Sequence, residues 1–335
     1  MLRTYEYFSD LKPYIEGFVE QKRANGYSYE FEAYIYTKFD GYCLAHNLSA
    51  EDITKDALKE WMTIRDTESK GYFSQRISFV RQLLIYINSL GKPTYIPHDF
   101  TDKEKNVPHI FSDEEIKDFF HQVDIYVPKA CTPTCAVAAT QPVFLRISGE
   151  YKILFRLIYC CGLRNSEACN LTWENVDLDK NTITIIHSKG DKDRLVYLHD
   201  DMVQLLGDYR IALFNNVGFE CRWVFPGANP ENRFLKTTVE RKFNEFWYKT
   251  KSAGLCDKKP TVHSLRHKFV VKRMNLWMEQ GINLKVMMPF LSKFLGHKGG
   301  GETFYYYHQV DEAFKIIRQK DTKATTIIPE VADDE

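Results

Sequence analysis

Only two short stretches of this chain read as β-strand. Thr182–Ile186 and Leu195–Leu198 are rich in β-branched and large apolar residues, and the turn region between them includes Lys189-Gly-Asp-Lys192. Elsewhere apolar residues recur at helical spacing: Leu11, Ile15, Phe18 and Val19; Tyr34, Ile35, Phe39, Tyr42 and Cys43; Phe79, Leu83, Leu84 and Ile87. Ser49-Ala-Glu-Asp52 resembles a capping box and predicts a helix carrying Leu58, Trp61 and Met62. Ser112-Asp-Glu-Glu115 predicts a second N-cap, before Ile116, Phe119 and Phe120. The expected fold is mainly α with a small antiparallel β-sheet, an α+β chain.

Segment 92–109 holds three prolines among many charges and reads as a linker. It divides a helical domain, 1–105, from a mixed domain, 106–320, which is followed by an acidic tail, 321–335. A long loop is expected over 124–148, then a buried helix over 151–161 that runs into Gly162-Leu-Arg164.

The 335 residues carry 45 basic and 45 acidic side chains, so the total charge says nothing about partners. Its distribution does. Residues 236–298 hold 14 basic and 4 acidic residues, a density that suits a phosphate-rich partner. The eight cysteines are too sparse for a disulfide scaffold. Cys131 and Cys135 lie close together in the long loop, but no second ligand pair follows, so neither a metal nor a cofactor is expected. No uncharged run suits a membrane span, and MLRTYEYFSD lacks the apolar core of a secretion signal. A soluble, intracellular protein is the expectation.

Four sequence pieces carry chemistry. They are Cys161-Gly-Leu-Arg164-Asn-Ser-Glu167; Ser188-Lys189-Gly-Asp-Lys-Asp-Arg194; Val262-His263-Ser-Leu-Arg266-His267; and Phe294-Leu-Gly-His297, followed by Thr303-Phe-Tyr305-Tyr306-Tyr307-His308. Two guanidiniums can grip one phosphate and stabilise the charge that grows on a pentacoordinate phosphorus. Histidine can take or hold a proton near neutral pH. A lysine on a turn can protonate a leaving oxygen, with Lys192 a rival to Lys189 in the same turn. A tyrosine can serve as nucleophile once a base or a positive field activates it. The set contains no carboxylate cluster for Mg²⁺ and suits metal-free phosphoryl transfer through a phosphotyrosine.

In this order and spacing the pieces resemble the tyrosine recombinase (phage-integrase) family, in its Xer and transposon-integrase branches. The family signature is Arg…Lys…His-x-x-Arg…His…Tyr, and the resemblance runs from about residue 10 to 318. The nine-residue interval from His297 selects Tyr306 over its two tyrosine neighbours. The resemblance implies that Arg164 and Arg266 clamp the scissile phosphate and that Glu167 orients the first arginine. It implies that Lys189 is the general acid, that His263 is a general base or proton shuttle, and that His297 hydrogen-bonds the phosphate. Tyr306 would form a 3′-phosphotyrosyl link. The first domain would be a helical, SAM-like core-binding domain on duplex DNA.

The implied activity is site-specific DNA cleavage and rejoining, in the integration or excision of a mobile element. The protein would act as a homotetramer on two DNA sites in the bacterial cytoplasm, associated with the nucleoid. The apolar stripe Val310, Ala313, Phe314 and Ile317 suggests that residues 309–320 form a helix docking in trans on the next protomer. The alternatives are a type IB topoisomerase-like activity and a catalytically idle DNA-binding accessory protein of the same fold.

Overall fold

The computed structural model describes residues 3–98, 108–127, 141–188, 192–256 and 258–297. They form two compact units, one within 1–106 and the other within 107–335.

The first unit packs three helices, α1 (Lys12–Ala24), α2 (Glu30–Ala45) and α3 (Lys70–Ser89). Pro13 sits in the first turn of α1, where its missing N–H costs no helical bond. Ser69 caps α3 by accepting the Tyr72 N–H. Ile15, Phe18, Tyr36, Phe39, Leu83, Leu84 and Ile87 close the core.

The helix expected to carry Leu58, Trp61 and Met62 is not formed. Residues 50–63 are a chain of turns, although Leu58 and Trp61 are buried as the apolar pattern requires. The cause is competition for backbone groups. Only half of the capping box forms: the Asp52 carboxylate accepts the Ser49 N–H, but the Ser49 hydroxyl donates to that carboxylate while the Asp52 N–H donates to the Ser49 carbonyl in a tight turn. The buried Arg76 guanidinium donates to the carbonyls of Trp61 and Thr63, which closes the segment against α3 instead of extending it as a helix.

The second unit is built around α5, which spans Gln141–Cys161. This corrects the expected boundaries, because the helix begins inside the stretch read as loop. Its first half, residues 141–150, mixes Pro142, Gly149 and polar residues with its apolar ones, which obscures the helix in sequence. In the fold, Arg146 and Glu150 form a buried pair one turn apart, and the Ser148 hydroxyl donates to the Tyr126 carbonyl. Phe119 of α4 (Asp113–Asp124), Phe155 of α5, and Phe243 and Phe246 of α8 (Lys236–Trp247) pack beside it, Phe155 edge to face with the other three and Phe119 tilted against Phe243. The predicted N-cap of α4 is present, as a reciprocal capping box between Ser112 and Glu115.

After the short α6 (Asn165–Cys169) come three antiparallel strands, β1 (Val176–Asp177), β2 (Thr182–Ser188) and β3 (Lys192–Tyr197), in the order β1-β2-β3. Arg194, Val196 and Leu198 point inward, whereas Leu195 and Tyr197 face out. Then follow α7 (Asp200–Val217), α8, α9 (Val262–Glu279) and α10 (Leu284–Leu295). Helices α9 and α10 share a small core of Phe269, Val271, Met274, Met288, Leu291 and Leu295, which sets the C-terminus of α10 beside the turn after α5. No helix among the described residues is long and apolar enough to cross a membrane.

Candidate active site

The turn after α5 is built on Gly162, at φ +61°. A Cβ there would stand 2.7 Å from the Phe269 ring and 3.0 Å from Leu295, so the position admits only glycine without rearrangement. This turn delivers Arg164 as the N-cap of α6, with Glu167 one turn on. The Glu167 carboxylate accepts the Arg164 backbone N–H at 2.8 Å and its guanidinium at 2.7 Å.

Glu167 also accepts two bonds from Arg194, at 2.8 and 2.6 Å, and lies 4.0 Å from Arg266. Three guanidiniums thus converge on one carboxylate. Burial alone would raise the Glu167 carboxyl, but the hydrogen bonds and charge of Arg194, then those of Arg164, outweigh it and hold it at about 2.

The same arginines hold three consecutive carbonyls at the end of α10. Arg194 donates to Phe294 at 2.8 Å, Arg266 to Leu295 at 2.7 Å and Arg164 to Gly296 at 3.0 Å. These carbonyls are the acceptors a helix C-terminus leaves without backbone partners, and its dipole favours cations there. Gly296, at φ +68°, lets the chain turn so that His297 meets Arg266, with Nε2 3.0 Å from the guanidinium. Arg266 also donates to the Gly162 carbonyl at 2.5 Å.

Exposure differs among the three arginines. The side chain of Arg164 is 18% exposed, that of Arg194 6% and that of Arg266 1%. Arg164 is the one at the surface.

His263 opens α9 and faces solvent, with its ring 4.5 Å from that of the buried His267 and perpendicular to it. Desolvation, then the charge of Arg266, holds His297 down at about 4 and lowers the more exposed His263 in the same direction. Desolvation, then His263, takes His267 to about 3. All three imidazoles are therefore neutral at pH 7.

The fold brings together five of the residues singled out in sequence: Arg164, Glu167, His263, Arg266 and His297. Lys189, Tyr306 and the 309–320 segment lie outside the described residues, as do Cys131 and Cys135. Arg194 lies in the second sequence piece, and residue type and order alone assign it no role. Its signal was there: in Arg194-Leu-Val-Tyr-Leu198, strand alternation puts the arginine on the face of Val196 and Leu198. An inward arginine needs a buried counter-charge, and Glu167 provides it.

Residues 140–313 match the sequence model of the phage integrase family. The match covers more than half of the chain, which belongs to that family. Tyrosine recombinase XerD of Proteus mirabilis is 29% identical over 177 residues, half of each chain. XerD of Neisseria meningitidis serogroup A is 26% identical over 250 residues, 72% of this chain and 74% of its own. This chain therefore spans about half the length of the first and three quarters of the second. Among solved structures, the XerH site-specific recombinase bound to its difH substrate aligns over 96% of this chain and 85% of its own, with TM-score 0.61 and 19% identity. At that identity the likeness is one of fold.

Proposed function

We propose that this protein is a site-specific DNA recombinase that cuts and rejoins duplex DNA through a 3′-phosphotyrosyl intermediate. One observation carries the reading: Arg164, Arg266, His263 and His297, drawn from three distant sequence pieces, meet around a single carboxylate that fixes the guanidiniums. Such a centre binds a phosphodiester and stabilises the charge of its transition state without a metal. In this reading Arg164 meets the phosphate first. The phosphate then takes the Arg266 N–H now directed at His297, and the imidazole turns to the same phosphate.

The phenol oxygen of Tyr306 attacks phosphorus as neutral His263 accepts its proton. The P–O5′ bond breaks, and Lys189 protonates the departing oxygen. Attack of a 5′-hydroxyl on the phosphotyrosine reverses these steps, so rejoining needs no external energy source. The DNA-bound state of the XerH relative supports a duplex DNA partner. The proposal extends to mobile-element integration or excision in the cytoplasm, and to a homotetramer in which residues 309–320 dock on the neighbouring protomer.

A nicked duplex that traps the covalent intermediate tests the chemistry. Wild-type protein, Tyr305→Phe and Tyr307→Phe should form the adduct, and Tyr306→Phe should bind DNA without forming it. An adduct in Tyr306→Phe would overturn the assignment. Truncation after Gln309 should preserve single-site binding and abolish pairing of two sites.

A further inference from the structure

Away from the arginine centre, three metal-ligand side chains meet. His109 lies ahead of α4, Glu115 in its first turn, and Cys256 ahead of α9, and their ligand atoms are all within 4.8 Å of one another. His109 Nε2 is 3.1 Å from Glu115 Oε2, and Cys256 Sγ is 3.3 Å from Oε1. We infer that His109, Glu115 and Cys256 form a zinc-binding site.

The donor chemistry selects the ion. Imidazole nitrogen, carboxylate oxygen and thiolate sulfur form a mixed set that zinc accepts, whereas Mg²⁺ and Ca²⁺ take oxygen donors. The geometry fits as well. Zinc bonds of about 2.0–2.3 Å place tetrahedral neighbours roughly 3.3–3.8 Å apart. The His109–Glu115 separation, 3.1 Å, lies slightly below that range and the Cys256–Glu115 separation, 3.3 Å, at its lower edge, so small side-chain movements admit an ion between the three donors.

The ligands are also held from behind. The Ser112 N–H donates to Glu115 Oε2 at 2.7 Å, and the Phe111 and Trp247 rings flank His109 at 5.6 and 5.9 Å. Such outer contacts orient ligands before the ion arrives. The His109 and Glu115 side chains are mostly covered yet still reach solvent, which leaves a path of entry. Water fills the fourth position. Binding drives off the Cys256 thiol proton, since the thiolate is the ligand.

The site has a structural consequence. Six residues separate His109 from Glu115, and 141 separate Glu115 from Cys256. Zinc there ties the start of the second unit to the segment that leads into α9, the helix bearing His263 and Arg266. No sequence signature announces the site, because the long interval hides it.

The test uses the full chain, stripped with a chelator and titrated with zinc alone by calorimetry. Wild type should bind one zinc at this site. At a hundredfold excess over Kd, its Tm should rise by about 5 °C or more. Cys256→Ser and His109→Gln should each weaken binding by about a hundredfold or more, beyond the loss from disturbing an outer contact. Co²⁺ in place of zinc should give a sulfur-to-metal charge-transfer band that Cys256→Ser lacks. A Cys131→Ser/Cys135→Ser double variant should bind as wild type does. No saturable zinc binding, undiminished affinity in His109→Gln, or loss of the zinc only in the Cys131/Cys135 variant would each overturn the proposal. Should Cys256→Ser fail to fold, the His109→Gln titration decides.

Discussion

Arg194 and Glu167 face each other through two parallel N–H···O bonds of 2.8 and 2.6 Å, with both side chains about 6% exposed. The pair links the sheet to α6. Because Arg194 also holds the Phe294 carbonyl, it ties both to the end of α10. Removing Arg194 leaves Glu167 its bonds from Arg164 but strips two others and the donor to the Phe294 carbonyl, at a cost of about 2–4 kcal/mol. Arg194→Ala should lower unfolding stability by that amount in urea titrations. Arg194→Lys keeps the charge, loses the planar fork and should fall between. An alanine variant within about 1 kcal/mol of wild type would contradict the pairing.

Gly162 makes a second prediction. Gly162→Ala places a side chain at φ +61°, with its Cβ against Phe269. Left-handed strain and overpacking each cost about 1–3 kcal/mol, so a loss of about 2–6 kcal/mol is expected. Because Arg164 follows two residues later, DNA cleavage should fall further than stability alone requires. Adding Phe269→Leu should recover part of both losses. If it recovers neither, the crowding is not the cause.

Much of this was legible in the sequence, for a physical reason. Runs rich in β-branched and large apolar residues revealed the sheet, because Ile183, Ile185, Val196 and Leu198 must face a core, and capping chemistry revealed the start of α4. The pattern failed where polar side chains are buried with partners far along the chain. Arg146 and Ser148, buried with partners, lie in the part of α5 read as loop, and Arg76 took the carbonyls that a helix near Trp61 would have used. For the site, residue type and order found Arg164, Glu167, His263, Arg266 and His297. They could not show that Arg194 shares Glu167, because strand β3 meets α6 only in the folded unit.

The histidines predict how stability depends on pH. His267 is buried and held at about 3, and His297 is partly buried and held at about 4, against an ordinary value near 6.5. A depressed imidazole lets the unfolded chain bind protons that the native state refuses. Stability should therefore be constant above about pH 6.5 and fall as pH drops from there toward 4. His267 alone should contribute about 3 kcal/mol of that fall. Glu167, held at about 2, adds its own loss only below the ordinary carboxylate range. Urea midpoints taken between about pH 7 and pH 4 should show the slope, and His267→Asn should flatten it. A wild-type midpoint constant across that window would refute the neutral, buried imidazole.

Arg266 joins scaffold to chemistry, and substitution can separate the two. Its guanidinium holds the carbonyls of Gly162 and Leu295 and meets His297 Nε2 at 3.0 Å, and its charge helps keep His297 at about 4. Arg266→Lys retains a positive charge, but a compact ammonium cannot span acceptors on two separate segments. It should destabilise the unit by about 2–4 kcal/mol while His297 still titrates low. Arg266→Gln removes the charge, so His297 should move up toward its ordinary value, as read from its ring-proton shift in an NMR titration. Both variants should lose DNA cleavage, because neither presents a guanidinium to the phosphate. Two outcomes would break the link between them: an unmoved His297 in Arg266→Gln, or full cleavage by Arg266→Lys.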